Sequence, residues 1–263
     1  MGYQQSPAFH IHRFDYSETS QIATFFTRDH GKVTAIAKGA RREKNDYDGP
    51  IDLLVRSRIT WIQRPPDRLS ILTGCDQQDP LRTLRRNRHR LVYGFWVIFV
   101  LNRLTATGQR NRSLFDHVRS FVDHLKTTYH VRRSCLFFDL FTLKHLGHLP
   151  RLNQCVFCER PVSEADRIQF SFHAGGVVCQ GCRRRAQSSK NQKGRDRLPV
   201  NTTSLLSPSA GTLRALTAVL AGDDPFEAAP VEFSDSQLSE SRRLLNHCYR
   251  YLLGYDTELL SML

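Results

Sequence analysis

Seven cysteines stand in this 263-residue chain, and four of them fall into two matched pairs, Cys155-Val156-Phe157-Cys158 and Cys179-Gln180-Gly181-Cys182, with 20 residues between the pairs. A C-x2-C pair turns two sulfurs toward one point, and two such pairs at this separation supply the four thiolates of a tetrahedral zinc ion. Four sulfur ligands leave no open position for a catalytic water. Cys155, Cys158, Cys179 and Cys182 are therefore expected to hold one structural Zn2+. A pair of redox dithiols and chance clustering are the other readings that the spacing leaves open. His173 lies near the second pair, but four thiolates already complete the set. Cys75, Cys135 and Cys248 stand singly in apolar patterns and read as small buried hydrophobes.

The second chemical signal is cationic. Lys and Arg number 38 against 25 Asp and Glu, giving a net charge of +13, a balance that favours polyanionic partners. Residues 199–263 hold four Arg against eight acidic residues, net −4, so residues 1–198 carry +17. Three basic clusters supply it: Lys38, Arg41, Arg42 and Lys44; Arg82, Arg85, Arg86 and Arg88; and Arg183, Arg184 and Arg185, continued by Lys190, Lys193, Arg195 and Arg197. A single charge run is usually a solvated face. Three without matching acidic runs point to a phosphate backbone. Trp61 either stacks a base or fills a core. The chain has no G-x-x-x-x-G-K-[ST] loop, no H-E-x-x-H and no H-x-E ahead of the cysteine pairs, and its acidic pair Asp223-Asp224 lies in the acidic tail, so the expectation is a binding protein rather than an enzyme.

These residues need elements to position them. Short runs at Phe9–Arg13, Ile22–Thr27, Lys32–Ala37, Leu53–Ile62 and Arg68–Thr73 have strand character, and Arg28-Asp29-His30-Gly31 reads as a hairpin connection with Gly where φ turns positive. Five short strands in sequence suggest a small closed barrel, for which the OB fold is the natural candidate. From Asp79 to Gly147 the period changes to 3.6. Helices are expected from Leu81 to Leu104, along the stripe Leu114, Phe115, Val118, Phe121, Val122 and Leu125, and from Arg132 to Leu146, with Gly147 and Pro150 as stop signals. The phenylalanines of this region fall at helical spacing and read as core. The period returns beyond Pro199, where Leu213 to Gly222 forms one helix and a second opens at Ser234 with a Ser234/Gln237 capping box and ends at Gly254. The expected fold class is α+β: an OB barrel at 1–79, a helical domain at 80–150 and 199–263, and a four-cysteine zinc insertion at 151–198. The longest apolar run, Leu91 to Leu101, is far short of the roughly 20 residues of a membrane span. Met1 to Phe14 carries His10, His12 and Arg13 where a secretory segment is apolar, so a cytoplasmic protein with no membrane partner is expected.

The motifs in their order resemble the bacterial RecO recombination-mediator family. The resemblance lies in Gly31-Lys32-Val33 followed by Ala37-Lys38-Gly39-Ala40-Arg41-Arg42, in Ser113-Leu114-Phe115, and in Phe141-Thr142-Leu143-Lys144-His145-Leu146-Gly147-His148-Leu149-Pro150. It continues through Cys155-x-x-Cys158 to Gly175-Gly176-Val177-Val178-Cys179-x-x-Cys182 and fades after Pro199. It implies an OB fold, a helical domain with a zinc module inserted, and a non-enzymatic activity. That activity is binding single- and double-stranded DNA, annealing complementary strands coated by the single-stranded-DNA-binding protein SSB, and helping RecA load onto coated DNA together with RecR. It further implies recognition of the SSB C-terminal tail and a nucleoid-associated location. Lys38, Arg41 and Arg42, matching the family's K-G-A-R-R, become the first DNA-contact candidates. Asn45-Asp46-Tyr47-Asp48 is acidic where the family often stays basic. The competing reading is a zinc-ribbon, OB-fold protein that binds RNA or the ribosome. A zinc-dependent hydrolase would need an open metal position that four cysteines do not leave.

Overall fold

The computed structural model describes residues 2–65, 68–79, 81–163, 168–188, 206–222, 226 and 231–255. The chain packs as two units divided between Val131 and Arg132. The first is built on five strands, β1 (Tyr3–Asp15), β2 (Gln21–Thr27), β3 (Gly31–Ala37), β4 (Arg56–Ile62) and β5 (Ser70–Asp79). They close into a barrel in the order β1-β2-β3-β5-β4, with β1 pairing to β4. Every ladder is antiparallel except β3 with β5, which meet in parallel at Ala35↔Ser70 and Ile36↔Ile71. This is the OB arrangement expected from the sequence, and closure removes the free edges that an open five-stranded sheet would expose.

Alternation explains the barrel. Along β3, Gly31, Val33, Ala35 and Ala37 face inward and Lys32, Thr34 and Ile36 are half-buried. The small inward residues Ala8, Ala23, Ala35 and Ala37 leave room for Phe25, Ile59 and Trp61 in a continuous core. Gly31 has φ of 66°, and a Cβ there would sit 2.2 Å from the Gln109 carbonyl oxygen, so both conformation and space require glycine. Three strands depart from the bounds their alternation suggests, β5 running on to Asp79 through its pairing with β4. β1 is extended by pairing with both β2 and β4, and β4 starts only at Arg56 because Leu54 turns to a positive φ of 55°.

Helices α1 (Arg82–Arg85), α2 (Arg88–Leu104) and α3 (Arg112–Leu125) complete the first unit. The continuous helix expected from Leu81 is broken at Asn87, whose side chain accepts from the Arg90 N–H and so starts a new helix. Asn111 caps α3 in the same way. The expected apolar stripe of α3 is buried throughout, with the Phe115 ring 5.2 Å from Phe9 and 6.0 Å from Phe26 of the barrel. Arg28 braces this contact with a two-pronged ion pair to Asp116, at 3.0 and 2.8 Å.

The second unit holds α4 (Val131–His145), the hairpin β6 (Gln169–Ser171) and β7 (Gly176–Val178), α5 (Gln180–Ser188), α6 (Ala210–Leu220) and α7 (Asp235–Leu253). Gly147, with φ of 74°, follows the end of α4, and Ser234 and Gln237 form the expected capping box of α7. Phe137, Phe138 and Phe141 are buried, as core packing requires. Within that core the fully buried Asp139 pairs with Arg242, and Tyr249 donates to the Asp139 carbonyl at 3.0 Å. Among the described residues no helix is long and apolar enough to cross a membrane.

Candidate metal centre and nucleic-acid surface

The second unit brings the two cysteine pairs together through backbone pairing. Arg151 N–H donates to the Gly175 carbonyl at 2.9 Å, Val177 N–H to the Arg151 carbonyl at 3.0 Å, and Val156 N–H to the Val177 carbonyl at 2.9 Å. The segment before the first pair therefore lies along β7, which leads into the second pair. Gly176 permits it: with φ of 148°, its place carries no Cβ, which would stand 2.2 Å from the Arg151 carbonyl oxygen. The first pair sits in a tight turn that ends at Glu159 in the left-handed region, φ 58°. The second pair straddles the start of α5.

The four Sγ atoms lie within 4.8 Å of one another, and those of Cys158 and Cys179 are 3.7 Å apart. A tetrahedral ion with Zn–S bonds of about 2.3 Å separates its sulfurs by about 3.8 Å, so the donor set fits a closed four-sulfur site. Backbone N–H groups point at the sulfurs, Cys179 N–H to Cys155 at 3.4 Å and Cys182 N–H to Cys179 at 3.5 Å, and the Arg185 guanidinium donates to Cys182 at 3.2 Å. Donors of this kind stabilise ligating thiolates. Burial raises the Cys155 thiol, but the N–H groups of Cys179, Cys158 and Phe157 outweigh it and bring the thiol down to about 7. Burial and the neighbouring sulfurs push Cys182 up to about 12. Crowded thiols of this sort need a cation to become thiolates together. His173 is directed elsewhere, its Nδ1 3.2 Å from the Tyr251 hydroxyl. Cys75, Cys135 and Cys248 are buried and carry no disulfide.

The K-G-A-R-R segment leaves the end of β3. Ala40 is buried and pins it, while Lys38, Arg41, Arg42 and Lys44 are exposed. The acidic stretch that follows serves as its anchor. Asn45 donates to the Ala40 and Arg42 carbonyls, the buried Tyr47 hydroxyl donates to the carbonyls of Lys38 and Leu72, and Asp48 accepts from the Gln77 N–H. Arg41 is paired with Asp15 at 3.4 Å. Arg82, Arg85, Arg86 and Arg88 are exposed on and after α1, and Arg85 pairs with Asp52 at 2.9 Å. Among the described residues no ion pair engages Lys38, Arg42, Lys44, Arg82, Arg86 or Arg88. Arg183 is half-buried and Arg184 and Arg185 are exposed on α5, whereas Lys190, Lys193, Arg195 and Arg197 lie outside the described residues. Trp61 is fully buried in the barrel, its ring edge-on to His30 at 5.0 Å, so it fills a core and presents no face to a base.

Sequence reasoning missed a fourth cationic region, beyond the three clusters. Arg28, Arg56, Arg58 and Arg119 line a groove of about 630 Å³ between the barrel and α3, with Phe115 and Asp123. No run of charge announces it. The available signal was the Arg56/Arg58 spacing of two on one strand, which puts both side chains on one face. Most of this charge is internally braced: Arg56 pairs with Asp123 at 2.9 Å and Asp79 at 3.5 Å, and Lys126 pairs with both acids.

A barrel in this strand order, followed by helices and a four-sulfur cluster, defines an OB-fold protein with a built-in metal-ligand module. Residues 1–80 match the family model Recombination protein O N terminal and residues 85–258 match Recombination protein O C terminal. The chain belongs to the recombination protein O family. Among its relatives, DNA repair protein RecO of Rhodopirellula baltica is 38% identical over 170 residues, 64% of this chain and 63% of that protein. DNA repair protein RecO of Syntrophus aciditrophicus is 26% identical over 260 residues, 98% of this chain and 94% of the relative. A third, of Bacillus pumilus, is 25% identical over 235 residues, 89% of this chain and 83% of its own.

Proposed function

We propose that this protein is a non-enzymatic recombination mediator in DNA repair: it binds single- and double-stranded DNA, anneals complementary strands coated with SSB, and with RecR promotes RecA loading. The observation that carries this reading is the K-G-A-R-R segment at the end of a barrel strand, whose Lys38 and Arg42 are exposed and engaged by no ion pair among the described residues. Cations placed this way neutralise phosphates and release their counterions, which lowers the repulsion between two strands and gives little sequence preference. Arg41 contributes less, because a phosphate must compete with Asp15 for it. Arg82, Arg85, Arg86 and Arg88, and Arg183, Arg184 and Arg185, extend the DNA surface.

The four cysteines hold one Zn2+ in a structural capacity, fixing the turn before Glu159 to the start of α5. Residues 151–198 then act as a zinc module within a helical domain formed by 80–150 and 199–263, following the barrel of 1–79 along the chain. The SSB C-terminal tail binds the helical domain, and the protein works in the cytoplasm, associated with the nucleoid. The test is strand annealing: complementary oligonucleotides coated with cognate SSB are mixed with and without the protein. Acceleration that weakens with salt and in the Arg41→Ala/Arg42→Ala variant is expected. No acceleration by the folded, zinc-loaded protein, with structured RNA outcompeting single-stranded DNA, would replace this reading with an RNA-binding one.

A further inference from the structure

Phe14 and Tyr16 are large aromatic residues left open to solvent, 47% and 61% exposed, at the end of β1 and in the turn that joins it to β2. Such rings at a barrel end are an expense in water unless something covers them. Their neighbourhood is the cationic segment already described. The turn and that segment are joined by the Arg41 N–H to the Thr19 carbonyl at 3.0 Å, by the Gly39 N–H to the Ser20 hydroxyl at 3.4 Å, and by the Arg41–Asp15 ion pair. Asp15 lies between the two rings in sequence and is also reached by Arg13 at 3.8 Å, so its charge is already compensated. Phe14 stands near the end of β1 with its ring 6.2 Å from that of His12, and Tyr16 opens the turn, its N–H donating to the Ser20 carbonyl at 2.9 Å, next to the Gly39–Ser20 contact.

From this juxtaposition we propose that Phe14 and Tyr16 form a base-stacking platform for unpaired nucleotides whose phosphates are held by the Lys38–Arg42 segment. The occupant follows from the chemistry. Planar rings beside a row of cations match a polymer that alternates π-faces with negative charge, and stacking accepts every base, as a protein without sequence preference requires. A duplex hides its base faces, so the platform distinguishes single from double strands where the cations alone do not. This inference rests on the nucleic-acid reading above and assigns the residues that make it selective for single strands.

The test compares an oligo-dT with an abasic deoxyribose-phosphate oligomer of equal length and charge, measured by fluorescence anisotropy with the full-length zinc-loaded protein at fixed salt. The wild type is expected to prefer oligo-dT by roughly tenfold or more, and Phe14→Ala/Tyr16→Ala to lose that preference while its abasic affinity stays within about twofold. Should the double variant misfold, Tyr16→Ala alone, in the exposed turn, is expected to lose part of the preference. Equal wild-type affinity for both oligomers, or an unchanged preference in the variants, overturns the platform and leaves the electrostatic reading standing. A change in oligomeric state in the variants, with oligo-dT affinity unchanged, assigns the rings to self-association instead and overturns it too. If the wild type binds neither oligomer, the nucleic-acid reading fails with it.

Discussion

The four-cysteine module and the K-G-A-R-R segment are both clusters of charge-bearing side chains, and they are built in opposite senses. The cysteines converge: four sulfurs within 4.8 Å, three of the residues buried, backbone N–H groups aimed at them. The cations diverge: Lys38, Arg41, Arg42 and Lys44 are exposed on a segment pinned by Ala40, Asn45 and Tyr47. Inward-facing polar groups hold the fold, because unpaired they would be costly inside. Outward-facing ones add little to stability and remain available to a ligand.

The comparison is broken most severely by removing an inward ligand. On the proposed zinc site, Cys179→Ser or a strong chelator is expected to abolish metal binding and unfold the module, since structural zinc contributes on the order of 10 kcal/mol in small metal-folded units. Metal analysis together with limited proteolysis reads this out: zinc content falls to near zero, cleavage concentrates in 151–188, and the barrel persists. Full zinc occupancy in the Ser variant would mean that the four sulfurs are not the ligand set.

Next in size is the buried ion pair. Asp139→Ala removes the fully buried carboxylate from its pair with the half-buried Arg242, and a loss of about 3 kcal/mol is expected in denaturant unfolding. A loss below about 1 kcal/mol would class this pair with surface ones.

A third inward group gives a pH signature. His10 is buried in the barrel, its Nδ1–H donating to the Asp52 carbonyl at 2.8 Å and its Nε2 accepting from the Ser57 hydroxyl at 2.8 Å. Burial pulls its pKa from 6.5 down to about 4, against the smaller opposing effect of Asp52. The unfolded chain therefore takes up a proton below pH 6.5 that the folded barrel refuses until pH 4. Stability from this group is complete above about 6.5 and falls by about 3 kcal/mol on going down to about 4. Equilibrium unfolding of the wild type and His10→Gln across this window shows the effect as a difference in slope, and parallel profiles would contradict it.

The smallest stability effects belong to the outward cations. Lys38→Ala and Arg42→Ala are expected to change unfolding free energy by no more than about 0.5 kcal/mol. On DNA the order reverses, and Arg42→Ala is expected to weaken binding more than Arg41→Ala, whose guanidinium is shared with Asp15.

The same contrast explains what was legible in the sequence. Four sulfurs that come together at one point impose spacing on the chain, so the cluster of Cys155, Cys158, Cys179 and Cys182 could be read from two C-x2-C pairs. The Gly175-Gly176 motif ahead of the second pair also finds its reason, in the approach of the Arg151 carbonyl. The barrel was legible because alternation and a positive-φ glycine are local signals. What the sequence concealed depends on three-dimensional pairing. Asn45-Asp46-Tyr47-Asp48 reads as an acidic interruption, yet Asn45 and Tyr47 fasten the cationic segment. The arginines of the groove beside α3 are far apart in the chain, from Arg28 to Arg119, and meet only through strand pairing and helix docking. Asn87 starts α2 through one side-chain cap that hydrophobic periodicity cannot register. Trp61 and the pair Phe14 and Tyr16 are equally aromatic in sequence, and only burial separates the core ring from the open ones.

The most direct test is the salt dependence of single-stranded DNA binding by the wild type and by Lys38→Ala/Arg42→Ala. Each contacted phosphate contributes a slope of about −0.7 to log K against log salt on single strands, so loss of two contacts is expected to flatten the slope by about 1.4 with folding and zinc content unchanged. An unchanged slope in a folded variant would show that the outward cations of this segment do not contact the phosphates, and would contradict the central claim.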